Sequence, residues 1–294
     1  MKKFVFVILH YYVIEETIQC VNSIRDIINN KNYEIVIVDN GSKNNTGNEL
    51  LKKYKKEKNI HVILSEKNLG FANGNNIGFK YAKDNLKPDF IIMINSDVYM
   101  LQSNFLDLID KEYEKSSFAV LGPRIIIPNN RVCDYIDEFP SLKFLKKRRF
   151  YTRLLYFYNK IYIRKVYLFY IRIKEKIKKK IVKQKIIDTS VRKENVLLHG
   201  CSLIFSKKYI DLFDGIDDRT FLYYEEFLLY LRLRKSNLLS VYNPYLIVYH
   251  NESSSTNKVN SKKRKKFDFV LKNELKSINI VIDDIKNGDI YGQE

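Results

Sequence analysis

Short apolar runs alternate with amphipathic stretches over the first 125 residues, which predicts strands and helices in turn. The amphipathic pattern is clearest where Ile18, Val21, Ile24 and Ile28 recur at helical spacing. The apolar runs are rich in Val, Ile and Phe: Phe4–Leu9, Tyr33–Val38, Ile60–Leu64 and Phe90–Ile94. Strands that alternate with helices build a mostly parallel sheet covered on both faces. We therefore expect an α/β fold that binds its ligand beyond the carboxyl ends of the strands.

The alternation stops near residue 130 and resumes near residue 196. The residues between these points mix cations with aromatic rings. After them the pattern predicts a strand at Val196–Phe205, a helix at Tyr224–Lys235, strands at Leu238–Tyr242 and Leu246–Tyr249, and a helix at Lys262–Ile282. The segment at 130–195 therefore stands apart from the α/β pattern on either side.

The formal net charge of +18 is concentrated in that segment. Residues 143–185 contain 17 Lys or Arg and a single acid, Glu175, whereas the rest of the chain is nearly neutral. A charge this local indicates a surface that attaches to an anionic partner. The interleaved aromatic rings suit an anionic membrane surface or stacking on RNA. Solvated helices that link two halves of the protein are the third interpretation.

Cysteine usage and the amino terminus bear on the compartment. Cys20, Cys133 and Cys201 are too few and too far apart for a disulfide framework or a metal cluster, which favours a reducing compartment. Met1–Lys3 and the apolar run after it imitate a signal peptide, but no small-residue cleavage site follows. No stretch approaches the roughly 18 uncharged residues of a spanning helix. We expect a cytoplasmic protein.

Two acidic turns follow predicted strands. Asp39 could simply form a turn, since Gly41 permits a positive φ and Asp39 or Asn40 can cap the next helix. Alternatively, Asp39 accepts hydrogen bonds from a nucleobase or ribose. Asp97 is either a second turn residue or, with Asn95 nearby, a ligand of a Mg²⁺ or Mn²⁺ ion that holds a diphosphate.

A glycine- and asparagine-rich segment, Asn68–Gly78, precedes a predicted helix. It lacks the Gly-Lys-Ser/Thr of a P-loop and does not follow the first strand, as a dinucleotide fingerprint would. One interpretation is a helix start that needs close packing. The other is a set of backbone N–H groups that faces a diphosphate.

Glu225 and Glu226 open a predicted helix directly after the aromatic, apolar segment Phe221–Tyr224. The helix dipole favours acids there, so a structural role is one interpretation. An apolar setting would also raise the pKa of a carboxylate and allow it to act as a general base. His250 closes a strand-like run and is either a structural residue or a metal ligand.

The order and spacing of these motifs resemble family 2 of the inverting glycosyltransferases, which have the GT-A fold, and especially its rhamnosyltransferase-like branch from bacterial surface-polysaccharide assembly. The resemblance covers about residues 3–128 and 196–250 and leaves the basic segment outside. The motifs that carry it are Val38–Ser42, Asn68–Ala72, Asn95–Asp97, Phe221–Glu226, Arg232 and His250.

The resemblance implies a GT-A (Rossmann-like) α/β fold. Its mostly parallel central sheet would carry helices on both faces, with a basic helical insertion and a C-terminal helix. The implied division is a nucleotide-sugar-binding half at 1–128, the basic, aromatic-rich insertion at 129–195, an acceptor and catalytic half at 196–257, and a C-terminal helix and tail at 258–294.

The same resemblance implies roles for individual residues. Glu226 would be the catalytic base, with Glu225 as the alternative. Asp97 would coordinate Mn²⁺ or Mg²⁺ on the sugar donor, and His250 would lie beside the metal. Asp39 would contact the nucleotide base. The remaining donor-binding residues would be Asn40, Asn68, Gly70, Asn95 and Arg232, although Arg232 could equally be a surface or ion-paired residue.

The chain departs from the family pattern at two places. Many relatives have Asn-Pro-Asp where Ser96 stands here, and many have Glu-Asp-Val-Asp-Leu where this chain has Glu225–Leu229. The base would then be a glutamate, and which of Glu225 and Glu226 serves is left open.

The implied partners are a UDP- or dTDP-sugar donor and a glycan or lipid-linked saccharide acceptor. Because acceptors of this class are commonly lipid-linked, we expect residues 143–185 to lie on an anionic membrane rather than on nucleic acid. The protein would then be peripheral at the inner face of the cell membrane.

Two alternatives belong to other classes. One is a non-catalytic basic module that binds membranes or nucleic acid on a relic GT-A fold. The other is a nucleotidyltransferase, which the sequence disfavours because Leu9–Tyr12 is not a Gly- and Arg-rich loop.

Overall fold

The computed structural model of the chain describes residues 2–30, 32–128, 131–132, 135–136, 139–161, 189–252 and 263–288. Parts of the predicted insertion at 129–195 lie outside the described residues, among them Cys133 and the segment 162–188. Among the described residues, no helix combines the length and the apolar composition needed to cross a bilayer.

The described strands form one large sheet and one small pair. The strands are β1 (Phe4–His10), β2 (Tyr33–Asp39), β3 (Ile60–Leu64), β4 (Phe90–Asn95), β5 (Val98–Met100), β6 (Val120–Ile127), β7 (Arg131–Val132), β8 (Tyr135–Ile136), β9 (Lys193–Glu194), β10 (Leu197–Leu198), β11 (Ser202–Ser206) and β12 (Ser240–His250). The large sheet runs β3-β2-β1-β4-β11-β6-β12-β5, with β7 beside β6 and β9 beside β12, while β8 pairs with β10.

The described helices cover both faces of this sheet. They are α1 (Ile14–Ile27), α2 (Thr46–Tyr54), α3 (Phe71–Tyr81), α4 (Phe105–Ser116), α5 (Leu142–Lys160), α6 (Lys207–Ile210), α7 (Glu225–Lys235) and α8 (Lys263–Asn287), with a π-helical turn at Ala82–Leu86. The predicted α/β fold with its central sheet is confirmed.

The apolar runs are continuous because the sheet is buried on both faces. In β1, Phe4, Phe6 and Ile8 pack into a core cluster on one face, and Val5 and Val7 pack into a second cluster on the other. The strands β1 to β4 pair in parallel, so their carboxyl ends meet at one edge.

The second half of the chain joins the same sheet. β11 lies antiparallel between β4 and β6, and β12 pairs parallel with β6 and antiparallel with β5. Residues from the predicted halves 1–128 and 196–257 therefore share one sheet and one core.

Two strand predictions were wrong in detail. The strand predicted at Val196–Phe205 is broken by a turn into β10 and β11. The two strands predicted at Leu238–Tyr242 and Leu246–Tyr249 are one strand, β12, whose pairing with β6 shifts register between Asn243 and Ile247. An irregular pairing absorbs the residues that interrupt the apolar pattern.

Three helices form a separate apolar cluster beside the sheet. Leu145 of α5 packs with Leu228 and Leu231 of α7 and with Ile278 and Ile282 of α8. The basic helix α5 thus packs on α8 and shares an apolar cluster with α7, the helix that begins with Glu225 and Glu226.

Candidate functional site

Asp97 and His250 meet at the carboxyl end of β4. Asp97 lies in the turn between β4 and β5, and His250 is paired with Val98 at the end of β12. The Asn251 N–H donates to the carbonyl of Asp97 at 3.0 Å. The Nε2 atom of His250 is 3.2 Å from Oδ1 of Asp97, and both side chains are largely buried. Sheet pairing alone therefore brings together two residues 153 positions apart in sequence.

A third side chain, His199, joins this pair from the turn before β11. The N–H of Asn95 donates to the carbonyl of Cys201 at 3.0 Å, which fixes this turn to the end of β4. The ring of His199 is centred 6.2 Å from the ring of His250. The Cys201 N–H donates to Nδ1 of His199 at 3.2 Å, so the ring proton resides on Nε2. Burial, followed by the charge of His250, lowers the pKa of His199 to about 4.

The sequence analysis missed His199. It was hidden inside a predicted continuous strand, where a histidine between apolar residues has no distinctive spacing. The usable signal was the Gly200 that follows it, because a glycine inside a strand pattern often marks a break.

Glu226 reaches the same place from α7. A methyl group added at Gly200 would lie 3.8 Å from Oε2 of Glu226, so this carboxylate borders the turn that carries His199. Burial raises the pKa of Glu226 above its ordinary value. We call Asp97, His199, Glu226 and His250 the edge cluster, since all four lie at the carboxyl-end edge of the sheet.

Glu225 occupies a different environment from its neighbour. Its side chain is buried, and Oε1 accepts a hydrogen bond from the Thr220 hydroxyl at 3.0 Å. Burial, followed by the charge of Glu226, raises the pKa of Glu225 to about 7. Tyr223 and Tyr224 before it both have positive φ, 74° and 70°. Such strained backbone concentrates at functional sites, and here it leads the chain into α7.

Asp39 lies at the same edge, one strand removed from Asn95. It ends β2, β1 lies between it and β4, and strand spacing gives a separation of about 10 Å. The Ser42 N–H donates to Oδ1 of Asp39 at 3.2 Å. The carboxylate also lies against Gly47 in the first turn of α2. The structure thus gives Asp39 a place at the edge and a defined orientation.

Hydrogen bonds connect Asn40, Asn68 and Gly70. The Asn40 side chain donates to Oδ1 of Asn68 and to the carbonyl of Gly70, at 3.2 and 3.0 Å, and accepts from the Leu69 N–H. The Phe71 N–H donates to the carbonyl of Phe221 at 2.8 Å. These contacts hold the loop before α3 against the segment that leads to Glu225. Direct donor binding by the three residues stays a prediction.

Arg232 does not lie with the edge cluster. Its guanidinium donates to the Tyr209 hydroxyl and to the carbonyl of Gly215, at 2.9 and 2.7 Å, and lies 3.7 Å from Asp217. It also lines a cavity of about 520 Å³ between α3 and residues 212–218, which no edge-cluster residue lines. These contacts match the ion-paired interpretation of Arg232 given in the sequence analysis.

The donor atoms of Asp97 and His250 fit a divalent cation. Within the described ranges, no group of three or more His, Cys, Asp or Glu side chains is arranged to hold a metal ion. Ions such as Mn²⁺ and Mg²⁺, however, are often held by one or two protein ligands together with substrate phosphates. One carboxylate oxygen and one imidazole nitrogen 3.2 Å apart can supply that number.

Three comparisons relate this chain to known proteins. Residues 5–184 match the model of glycosyl transferase family 2. The low-salt glycan biosynthesis hexosyltransferase Agl10 of Haloferax volcanii is 28% identical over 108 residues, which are 37% of this chain and 32% of Agl10. The chain thus spans about a third of this curated relative.

The solved structures show the same fold. The structure of S. aureus TarS superposes with a TM-score of 0.57 at 16% identity, over 98% of this chain and 40% of TarS. Residues 1–349 of TarS in complex with UDP superpose with a TM-score of 0.51 at 14% identity, over 99% of this chain and 72% of that one.

Proposed function

The chain belongs to glycosyl transferase family 2, and from this premise we propose that it is an inverting glycosyltransferase that uses a nucleotide-diphosphate sugar. The acceptor is a hydroxyl of a glycan or lipid-linked saccharide in bacterial surface-polysaccharide synthesis. The observation that supports this most directly is that Asp97 and His250 pair at one edge of the sheet, while Glu226 borders the adjoining turn that carries His199. Ligands of open α/β sheets bind at such an edge.

Glu226 is the general base of this proposal. Its carboxylate takes the proton from the acceptor hydroxyl while that oxygen forms a bond to the anomeric carbon. The bond from that carbon to the diphosphate breaks on the opposite side, so the nucleoside diphosphate leaves and the configuration inverts. A carboxylate with a raised pKa suits proton transfer near neutral pH. Glu225 is the weaker candidate, because Thr220 already holds its buried carboxyl.

Asp97 and His250 hold Mn²⁺ or Mg²⁺ in this proposal. When bound, the cation supplies neutralisation of the negative charge that gathers on the departing diphosphate. His199 presents an N–H donor next to the same pair, which suits a phosphate oxygen or a sugar hydroxyl. Asp39 binds the nucleotide base at the neighbouring strand end.

The proposed donor is a UDP- or dTDP-sugar. Agl10 is described as a hexosyltransferase, and one of the similar TarS structures contains UDP. UDP-hexoses are therefore the first donors to test, with dTDP-rhamnose as the alternative. We place the enzyme in the cytoplasm, peripheral at the inner face of the membrane.

The test is a thermal-shift panel of nucleotide sugars with and without Mn²⁺ or Mg²⁺, followed by transfer assays with the best donor. A ligand that binds only the folded chain raises the unfolding midpoint by mass action. We expect one donor class to raise the midpoint of the wild type only with metal, and Asp97→Asn to abolish this metal-dependent shift.

Glu226→Gln separates binding from catalysis. We expect the donor shift to persist while turnover falls by about 10²- to 10⁴-fold, the usual contribution of a positioned base. Glu225→Gln is the matched control and should retain most activity. A Glu226→Gln enzyme with normal turnover would remove Glu226 as the base. A chain that binds no nucleotide sugar and hydrolyses none would favour the non-catalytic basic module instead.

A further inference from the structure

The outward surface of α5 is apolar and cationic at once. Phe150 and Phe157 are 62% and 55% exposed, and Ile161, directly after the helix, is also exposed. Residues seven positions apart lie on the same face of a helix, so Phe150 and Phe157 form a strip together with Leu154 and Ile161. We call these four residues the α5 strip. Exposed cations flank it: Lys143, Lys146, Lys147 and Arg153.

The opposite face of α5 is fixed to the body of the protein. Leu145 is buried in the cluster with α7 and α8. Arg148 Nε donates to Oε1 of Glu274 at 2.7 Å, and the Asn159 side chain donates to Oδ1 of Asp268 at 2.7 Å. These contacts at both ends of α5 prevent the helix from rotating, so the strip faces outward.

We propose that the α5 strip lies on the surface of an anionic lipid bilayer, with its apolar side chains at the acyl boundary and the flanking cations against the headgroups. The helix contains seven Lys or Arg and no Asp or Glu, so its charge is complementary to such a surface. Helices of this composition bind in the plane of the interface.

The aliphatic members of the strip favour lipid over nucleic acid. Binding of single-stranded nucleic acid relies on flat rings that stack on bases, which Leu154 and Ile161 lack. Further cations come from the start of α8, where Arg264, Lys265 and Lys266 follow one another. Arg264 of this run donates to the carbonyls of Asn159 and Lys160 at the end of α5, at 3.1 and 2.9 Å. The positive surface therefore continues beyond α5.

The strip is mechanically connected to the edge cluster. Leu145 lies in the same apolar cluster as Leu228 and Leu231 of α7, and the Arg148 guanidinium lies near Tyr224, two residues before Glu226. A bilayer on α5 would thus have a fixed position relative to the helix that carries Glu226. The consequence that a lipid-anchored acceptor is presented to this carboxylate rests on the proposed function, whereas the membrane binding does not.

Vesicle flotation tests the binding without any substrate. The chain is mixed, at low and high salt, with vesicles of phosphatidylcholine alone or with added phosphatidylglycerol, an anionic lipid that gives the surface a negative potential. We expect flotation with the anionic vesicles at low salt and little with phosphatidylcholine alone. The double substitution Phe150→Ser with Phe157→Ser should weaken binding about tenfold or more, because two large apolar side chains leave the interface.

The matched control substitutes two equally exposed apolar residues elsewhere. Leu212 and Tyr245 are 61% and 70% exposed, and Leu212→Ser with Tyr245→Ser should float like the wild type. Circular dichroism melts confirm that both double variants are folded. Equal flotation of the two double variants, or no flotation of the wild type, would overturn the proposal. Binding to RNA but not to vesicles, with the same loss in the Phe150/Phe157 variant, would assign the strip to nucleic acid instead.

Discussion

Glu225 and Glu226 are adjacent in sequence but differ in what surrounds them. Glu225 is 6% exposed and bonded to Thr220, whereas Glu226 is partly exposed beside Gly200. Two carboxylates at the start of one helix point about 100° apart, so one can face the interior while the other faces the site. The geometry therefore distinguishes the two residues, although their positions in sequence did not.

The buried state of Glu225 predicts how its substitution changes stability with pH. Its pKa rises from the ordinary 4.5 to about 7 on folding. The folded state thus holds the proton more tightly than the unfolded state, so stability is fully present below pH 4.5 and is lost as pH rises through 7. The loss for this group is about 3 kcal/mol. Glu225→Gln stays neutral and can still accept from Thr220. Its free energy of unfolding should therefore rise relative to that of the wild type as the pH increases from 5 to 8.

Urea unfolding at both pH values measures this change through the midpoint and slope. Glu114→Gln replaces an exposed carboxylate on α4 and serves as the control. The same difference between Glu225→Gln and wild type at pH 5 and pH 8 would show that Glu225 is ionised in the folded protein throughout this range.

At this scale the sequence singled out three acidic residues and His250 as candidates but not His199. Asp39, Asp97 and Glu226 follow strands or open a helix, where an acid after an apolar segment is conspicuous. His199 has no such pattern, and its place beside His250 depends on the antiparallel pairing of β11 with β4. That pairing joins residues about 110 positions apart and leaves no periodic signal in the sequence.

At the scale of elements, the loop before α3 packs against the segment that leads into α7. Gly70 has φ 86° and ψ −173°, and a methyl group on it would lie 2.2 Å from the carbonyl oxygen of Phe221. That backbone region is essentially restricted to glycine. The glycine-rich motif therefore serves close packing, one of the two interpretations that its sequence allowed. Its packing partner, the segment before α7, could not be read from the motif itself.

Gly70→Ala should lower the free energy of unfolding by about 3 kcal/mol, because it combines an unfavourable backbone conformation with a steric overlap. Gly200→Ala is the matched control. A methyl group there meets only Oε2 of Glu226 at 3.8 Å, an ordinary van der Waals distance. It should change stability by less than about 0.5 kcal/mol. Urea denaturation of the two variants provides the measurement, and equal stability of both would refute the close approach of Gly70 to Phe221.

At the scale of the whole molecule, the two sequence halves cannot be separated without opening the sheet. β11 supplies hydrogen bonds to both β4 and β6, and β5 pairs with β12. The sequence predicted four strands of the first half, β1 to β4, in a mostly parallel sheet, but neither β5 nor β6. It did not predict that later strands would insert between earlier ones, because strand order depends on contacts over long sequence separations.

The interleaved sheet predicts one cooperative unfolding transition for the full chain and none for a fragment of residues 1–128. In the fragment, β4 and β6 lose the strand between them, and their unpaired edges expose backbone groups that promote aggregation. Far-UV circular dichroism and tyrosine fluorescence should therefore give coincident curves for the full chain, which contains 22 tyrosines and no tryptophan.

The site gives a second readout, because Asp97 comes from the fragment whereas His199, Glu226 and His250 do not. A nucleotide sugar with Mn²⁺ should raise the midpoint of the full chain alone, and a fragment that melts cooperatively and responds to the ligand would show that residues 1–128 form an independent binding domain.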